Sequence, residues 1–294
     1  MELRTDLAME RREMAQEDIK GVQYEKRETD GIVVERLEVK TERAGQLLKK
    51  PQGVYITMEI EPLTRQVDTS DGRIRVIAKE IEKLLPAYGP VLVAGLGNPE
   101  ITPDALGPMV SAQILATRHI TSEIARSTGL DHLRCVAALS TGVTGQTGIE
   151  TSEYLLGVIK LIKPTALIVI DALASRRLSR LGRTLQICDA GISPGAGVGN
   201  HRLKIDKSTM GIPVISIGVP TVVDAITLAC DLLRSDDDSE LKQIFSEISP
   251  EGRTMVVTPK EIDLLVSRAA RLIALCINCA LQKDMEPEDL LALI

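Results

Sequence analysis

Two aspartates stand where a carboxylate could act on a substrate. Asp171 directly follows the apolar run 166–170, and Asp104 lies in the loop that follows a second apolar run, 91–94. An ionisable side chain at the end of a buried strand is costly unless it reaches solvent, a partner or a metal. Ligands bind at the carboxyl edge of open parallel sheets. If the two strands are neighbours, both carboxylates emerge at that edge.

Two carboxylates that meet there can share one proton. One is then ionised and acts as a general base for water, while the other is protonated and acts as a general acid. The alternatives are a metal site, or structural roles in which Asp171 binds loop amides and Asp104 supports the start of a helix. The residue types alone leave these alternatives open.

Small and polar residues follow the same strand ends. The Gly- and Thr-rich loop 140–148 permits close approach of an extended substrate backbone, and the polar loop 193–202 has the same quality. The candidate substrate-binding residues in the loops after the first two strands are Asn98, Thr141 and Gly142. A phosphate cradle would need the Walker lysine and serine pattern, which is missing, and a flexible surface loop is the simplest alternative.

The segment that begins Gly95-Leu96-Gly97 starts like a dinucleotide-binding fingerprint. That fingerprint needs a third glycine, and Glu100 occupies its position, so a negative charge would face the pyrophosphate. No HExxH, GxSxG or Asp-Thr/Ser-Gly motif occurs, which argues against zincins, serine hydrolases and pepsin-like proteases. We therefore expect neither a cofactor nor a metal.

Continuous apolar runs alternate with helical patterns from Pro90 onward. This alternation predicts an α/β fold with a mostly parallel central sheet and helices on both faces. The predicted strands of this region are 91–94, 134–139, 166–170, which ends at Asp171, and 213–219. The predicted helices are 105–119, 149–162, 222–233 and a last helix whose N-cap, first residue and capping-box partner are Thr258, Pro259 and Glu261.

The region before Pro90 has a different character. Runs with partial alternation at 32–39 and 54–60 predict a small N-terminal antiparallel β region, with helices at 42–50 and 73–85. We divide the chain into an N-terminal arm, 1–30, a small β/α lobe, 31–89, and a catalytic α/β core, 90–294, or one continuous domain from residue 31.

Composition limits the class of partner. The chain has 294 residues, a net charge of −6, no Trp and only 2% aromatic residues, so neither electrostatics nor base stacking favours nucleic acid. No apolar run is long enough for a membrane span, and the N-terminus lacks the apolar region of a secretory signal. Five cysteines indicate a reducing compartment, and Cys276 and Cys279 are expected on a buried helix face. We expect a cytoplasmic protein.

Segments along nearly the whole chain resemble the germination protease of spore-forming bacteria. They are Arg4–Ala8, Gly95–Asn98, Thr102–Pro108, Thr147–Ser152, Ile170–Ala174, Pro194–Asn200, Gly211–Ala225 and Val256–Glu261. The resemblance implies an endopeptidase that degrades small acid-soluble spore proteins in the germinating spore core, a homotetramer, and a zymogen activated by self-cleavage. A more distant similarity to hydrogenase maturation peptidases implies the same parallel-sheet fold.

The resemblance also assigns residues. The family's proposed catalytic aspartates correspond to Asp104 and Asp171. Family substrates are cut after an acidic residue and before a hydrophobic one, so the propeptide is residues 1–6 and the cut lies between Asp6 and Leu7. An acidic residue before the cut should need a cationic pocket. The candidates for this pocket are Arg176, Arg177, His201 and Arg202.

The sequence departs from the family in two places. Only six residues precede the proposed cut, and the connection 234–254 is shorter than in the family. Two alternatives to a self-processing protease remain: a metal-assisted maturation-type peptidase on the same fold, and a non-enzymatic binding module.

Overall fold

The computed structural model describes residues 3–15, 19–64, 71–120, 127, 129–195, 203–233 and 255–293. Within these ranges the strands are β1 Val22–Thr29, β2 Ile32–Val39, β3 Gly53–Glu59, β4 Val91–Gly95, β5 Val136–Ser140, β6 Ala166–Ser175, β7 Thr184–Cys188, β8 Val214–Asp224 and β9 Val256–Val257. The α-helices are α1 Ala8–Ala15, α2 Glu42–Leu48, α3 Gly72–Leu84, α4 Leu106–Ser111, α5 Thr144–Thr147, α6 Thr151–Ile162, α7 Lys207–Met210, α8 Ala225–Leu233, α9 Ile262–Leu281 and α10 Pro287–Ala292. Short 3-10 turns occupy Thr102–Asp104 and Leu178–Arg180.

The strands form one mixed sheet in the order β1-β2-β3-β7-β8-β6-β4-β5, and β9 pairs with β8. The pairs β8-β6, β6-β4 and β4-β5 are parallel, whereas β1, β2, β3 and β7 extend the sheet with antiparallel pairs. The predicted α/β class, with a mostly parallel centre and an N-terminal antiparallel region, is confirmed.

Apolar side chains of the central strands alternate between the two faces of the sheet, as the pleat of a strand requires. Val91 and Val93 of β4 pack in the core that α3 and α9 cover, whereas Leu92 and Ala94 pack in the core that α6 covers. Because both faces are covered by helices, the strands need apolar residues at every position.

The described residues among the first 30 include a helix, α1, and a strand, β1. Helix α1 packs on β2 and β3, and its residues Ala8 and Met9 are buried. Strand β1 was not predicted, because six of its eight residues are exposed and its sequence, VQYEKRET, lacks an apolar face. It lies at the edge of the sheet, where charged side chains are common.

Strands β6 and β8 are longer than predicted. Strand β6 continues four residues past Asp171 to Ser175, and β8 continues through Pro220 to Asp224, so helix α8 begins at Ala225. Strand β4 ends at Gly95, which pairs with Ile170. The outer half of β6 therefore extends past its neighbour β4, while it stays paired with β8.

Helix α9 begins later than predicted. Its N-cap position is Glu261, and the Thr258 side chain instead donates a hydrogen bond to the Thr221 carbonyl. By length and composition alone this helix could cross a membrane, but most of it is buried in the protein core. Cys276 is fully buried and Cys279 partly buried on this helix, as expected, and burial raises the pKa of the Cys276 thiol.

Helix α4 ends at Ser111, eight residues before the predicted end at His119. The chain that follows is fixed by Asn278 of α9, whose side chain accepts from the Leu115 N–H at 2.9 Å and donates to the Gln113 carbonyl at 3.0 Å. Asn278 is buried, so these backbone groups have their partner inside the core. The apolar periodicity of residues 105–119 does not indicate these hydrogen bonds with a helix that is distant in sequence.

Replacing Asn278 by leucine should therefore destabilise the protein. The change leaves a backbone N–H and a carbonyl in the core without this partner, and each such group costs about 1–3 kcal/mol. We expect the free energy of unfolding, measured by urea titration with circular dichroism, to fall by about 2–4 kcal/mol. Arg271→Ala, at an exposed position of the same helix, should stay within about 0.5 kcal/mol of wild type. Equal stability of the two variants would contradict the role of Asn278.

Candidate active site

Both candidate aspartates line one cleft at the carboxyl ends of β4 and β6. The cleft has a volume of about 560 Å³, and its walls include Asp104, Asp171, Gly142 and Asp6. The two strands are neighbours in the sheet, as the sequence argument required. The arrangement brings together carboxylates that are 67 positions apart in the chain (171 − 104).

Asp171 is part of strand β6, at the level where β4 has ended. Only 6% of the residue is exposed. Its Oδ1 accepts a hydrogen bond from the Ala172 N–H at 3.0 Å. Because β6 is buried, the backbone that carries this carboxylate is fixed at the cleft.

Asp104 ends a short 3-10 turn in the loop after β4. Its backbone N–H donates to the Ile101 carbonyl at 2.8 Å, and its Oδ2 accepts from the Asn98 N–H at 2.8 Å. The loop therefore folds back on itself and holds this carboxylate half-buried at the cleft wall.

The glycines of the same loop allow this fold-back. A Cβ on Gly95 would lie 2.0 Å from the Gly107 carbonyl oxygen, and a Cβ on Gly97 would lie 2.1 Å from the Asp104 carbonyl oxygen. Gly97 also has a φ of +109°, which side chains disfavour. These glycines bring backbone against backbone and position Asp104, which explains why the segment looks like a dinucleotide fingerprint without being one.

Of the three predicted loop residues, only Gly142 lines the cleft, whereas Asn98 and Thr141 form hydrogen bonds between the loops beside it. Asn98 Oδ1 accepts from Gln146 Nε2 at 2.8 Å, which ties the β4 and β5 loops together. Thr141 is buried, and its N–H donates to the Gly95 carbonyl at 3.0 Å. Gly142 lines the cleft with a φ of +65°.

The predicted cationic pocket is only partly described. His201 and Arg202 lie outside the described residues. Arg176 forms an ion pair with Asp231 at 3.0 Å, and Arg177 forms one with Glu13 at 3.2 Å.

The N-terminal segment lies in the cleft with the aspartates. The Asp6 N–H donates to the Ala174 carbonyl at 2.8 Å, and the Ala174 N–H donates to Asp6 Oδ2, also at 2.8 Å. The outer half of β6 thus binds both the backbone and the carboxylate of Asp6. Leu7 is fully buried.

A buried carboxylate holds the chain just after Leu7. Glu10 is 1% exposed and accepts from the Arg176 N–H at 2.7 Å and the Arg177 N–H at 3.0 Å. Its Oε1 lies 3.7 Å from the Arg180 guanidinium. Two backbone N–H groups and a guanidinium therefore surround this buried carboxylate.

Two residues near Asp6 were missed by the sequence analysis. The carbonyl oxygen of Asp6 accepts from Lys50 Nζ at 2.6 Å and from Gln186 Nε2 at 3.1 Å. Lys50 follows α2, and Gln186 lies on β7, a strand that we did not predict. Nothing in the local sequence around either residue marks it, since both reach the Asp6 carbonyl only through the tertiary fold. They line a neighbouring cavity of about 130 Å³ that shares Asp6 with the cleft.

The described parts of the chain contain no group of three or more His, Cys, Asp or Glu side chains arranged to hold a metal ion. Asp104, Asp171 and Asp6 line one cleft, yet they do not form such a group. The site as described is one of carboxylates and backbone hydrogen-bond donors.

Comparisons with known proteins agree with one another. The family model for germination protease matches residues 2–235. A germination protease of Caldanaerobacter subterraneus subsp. tengcongensis is 43% identical, over 98% of this chain and 97% of its own length. Those of Clostridium perfringens and Bacillus thuringiensis subsp. konkukian are 39% and 34% identical, over 98% of this chain and 98% and 95% of theirs.

One solved structure is also similar. It is the [NiFe] hydrogenase maturation protease HycI from Thermococcus kodakarensis KOD1, with 20% sequence identity and a TM-score of 0.37. The alignment covers 67% of this chain and 98% of that one.

Proposed function

The chain belongs to the germination protease family and is a peptidase of spore germination, and from this premise we propose that it is a zymogen that cuts itself between Asp6 and Leu7. In the same proposal, Asp104 and Asp171 activate the attacking water, and the processed enzyme begins the degradation of small acid-soluble spore proteins. It needs no cofactor.

The observation that carries the proposal is the shared cleft. Asp6, whose carbonyl belongs to the bond to be cut, lines the same cleft as Asp104 and Asp171. Its backbone is hydrogen-bonded to Ala174 on the outer half of β6. Pairing of an extended segment with a strand is a common way to bind a peptide. The segment is thus held as a substrate would be.

The chemistry needs one proton on the pair of aspartates. The ionised carboxylate takes a proton from water as the water oxygen attacks the Asp6 carbonyl carbon. The tetrahedral intermediate then loses the Leu7 nitrogen, which receives a proton from the other carboxyl group. A carboxylic acid on the Asp6 main chain and an amine on Leu7 result, and the pair again holds one proton, now on the carboxyl group that took it from water.

The residues around the cut fit the same recognition pattern. The acidic residue before the cut is Asp6, the buried hydrophobic residue after it is Leu7, and the small residue Ala8 follows. Further along, Glu10 accepts from two backbone N–H groups after β6. We infer that substrates are read at these same positions, and that Arg176, Arg177, His201 and Arg202 provide the positive charge around them.

The remaining parts of the proposal concern the cell and the assembly. We propose that the enzyme acts in the cytoplasm of the germinating spore, the spore core, as a homotetramer, with neither nucleic acid nor membrane as a direct partner. A molar mass near four times 31.9 kDa in light scattering would agree with the tetramer. A monomeric mass at working concentration would contradict it.

Self-processing is tested most directly by intact-mass spectrometry. The full chain, purified and held at mildly acidic pH, should lose residues 1–6 and begin at Leu7. A peptide that contains Thr-Asp-Leu-Ala-Met-Glu should be cut at the same bond. A chain that stays intact for days and leaves the peptide uncut would overturn the proposal and favour a non-enzymatic binding module.

The metal-assisted alternative is tested in the same assay. Processing in the presence of a strong chelator should proceed at the rate seen without it. If the chelator stops processing and an added divalent metal restores it, the aspartates act through a metal ion instead.

A further inference from the structure

Two side chains bind the carbonyl oxygen of Asp6, the oxygen that would become negative if this bond were cut. The Lys50 ammonium donates to it at 2.6 Å and the Gln186 amide at 3.1 Å. The residues on either side of Asp6 are buried, so its carbonyl needs donors from the protein. Here a charged donor and a neutral donor, from different parts of the fold, converge on one oxygen.

Gln186 contacts the segment on both sides of Leu7. Its Nε2 donates to the Asp6 carbonyl, and its Oε1 accepts from the Ala8 N–H at 2.8 Å. The residue is 7% exposed on the central part of β7, between β3 and β8. One rigid amide therefore fixes the register of the chain across the proposed cut.

Lys50 is held in place by the end of α2. Helix α2 closes with Lys49 in a left-handed conformation, and the Lys50 N–H donates to the Gly45 carbonyl at 3.0 Å. The side chain then runs into the protein beside Asp6, Glu10, Arg11 and Cys188. Burial lowers the pKa of its ammonium, and the Asp6 carboxylate opposes that shift. A buried lysine needs a partner that stabilises its positive charge.

We propose that Lys50 and Gln186 form the oxyanion-stabilising site of this protease, and that they bind the carbonyl before the cut both in self-processing and in cleavage of substrates. The inference rests on the proposed function above. Water adds to the Asp6 carbonyl carbon, and the π-electron pair moves to the oxygen between these two donors. When the bond to the Leu7 nitrogen breaks, the pair returns to re-form the carbonyl.

The two donors gain strength as the reaction proceeds. A hydrogen bond to a developing oxyanion is stronger than one to a neutral carbonyl, and preorganised donors need no rearrangement at that moment. The protonated form of Lys50 supplies a positive charge and Gln186 supplies orientation. Both residues therefore touch the reacting atoms, and the effect of removing them should be on the chemical step.

The test compares variants of the full chain. The rate constant of self-processing is measured by intact-mass spectrometry for wild type, Lys50→Met, Lys50→Arg and Gln186→Leu. Each variant is also trimmed by tagged wild-type enzyme, which is then removed, and kcat and KM are measured on the peptide with Thr-Asp-Leu-Ala-Met-Glu. Lys160→Met, an exposed lysine on α6, is the matched control.

We expect Lys50→Met to slow both reactions by about 100-fold, the loss typical for one oxyanion donor, chiefly in kcat. Gln186→Leu should slow them by about 10-fold, and Lys50→Arg should recover part of the loss because it restores a charged donor. Lys160→Met should match wild type. A thermal melt of each variant separates loss of folding from loss of chemistry, and Lys50→Arg and Gln186→Leu remain informative if Lys50→Met unfolds.

Two outcomes would overturn the inference. The first is a Lys50→Met variant that processes within threefold of wild type. The second is a loss confined to KM, which would make the pair an anchor for the segment only. Different results would contradict the proposed function itself. They are a wild-type chain that is not cut, or Asp104→Asn and Asp171→Asn variants that are cut as fast as wild type, and neither depends on the rates of the Lys50 variants.

Discussion

Replacing Asp104 or Asp171 by asparagine is expected to slow cutting at Asp6–Leu7 by about 1000-fold, within the range that general acid–base catalysis contributes. Asparagine keeps the size of aspartate and an oxygen that can accept the hydrogen bonds from the Asn98 and Ala172 N–H groups. It can neither take a proton from water nor give one to the leaving nitrogen. The fold is therefore preserved while the proton transfer is lost.

The measurement follows residues 1–6 by mass spectrometry over time and the cut peptide by chromatography. Asp131→Asn is the matched control, because Asp131 is exposed in a turn away from the cleft. If the reaction requires both carboxylates, Asp104→Asn and Asp171→Asn must both cut slowly. If only one is slow, a single carboxylate acts, and the other has a structural role.

The second large effect is expected from Gly107→Ala. Gly107 lies in α4, where alanine would ordinarily be favoured by up to about 1 kcal/mol. Here the new Cβ would lie 2.2 Å from the Leu96 carbonyl oxygen and 2.6 Å from the Ile170 carbonyl oxygen. Both are backbone atoms, one just after β4 and one inside β6, so they cannot rotate away. The steric conflict outweighs the helix preference.

We expect this variant to lose about 2–4 kcal/mol of unfolding free energy in urea titration. We also expect its self-processing to be slower than the loss of folded protein alone explains, because the added methyl group displaces the loop that bears Asp104. Gly157→Ala is the matched control: it is also a helical glycine, but its Cβ would meet nothing within 4 Å. That variant should gain about 0.5–1 kcal/mol. A Gly107→Ala protein as stable as Gly157→Ala would contradict the close packing of this loop.

Much of the central sheet was predictable because its signal is local. Strands such as β4 and β6 are covered on both faces and therefore read as unbroken apolar runs. Neighbouring parallel strands end at one edge, so the convergence of Asp104 and Asp171 followed from the runs that precede them. Proline and glycine marked the loops between them.

The elements that were missed depend on distant contacts. Strand β1 has no apolar face, and its pairing with β2 decides its structure. Helix α4 ends early because Asn278 binds the chain after it. Lys50 and Gln186 face the Asp6 carbonyl from segments that no local pattern connects. Sequence reasoning could place the carboxylates of Asp104 and Asp171 at the cleft. The side chains that bind the Asp6 carbonyl could be identified only from the tertiary structure.

The binding site of Asp6 has a consequence for the order of folding. Its partners are Lys50, Ala174 and Gln186, so the site is assembled from three segments separated by up to 136 residues (186 − 50). Contacts of such separation form late, after the entropy of closing long loops has been overcome. Strand β3 pairs directly with β7, although β4, β5 and β6 lie between them in the sequence. We therefore expect a nascent or partly folded chain to lack the site, and the proposed cut at Asp6–Leu7 to occur only in molecules whose sheet is complete.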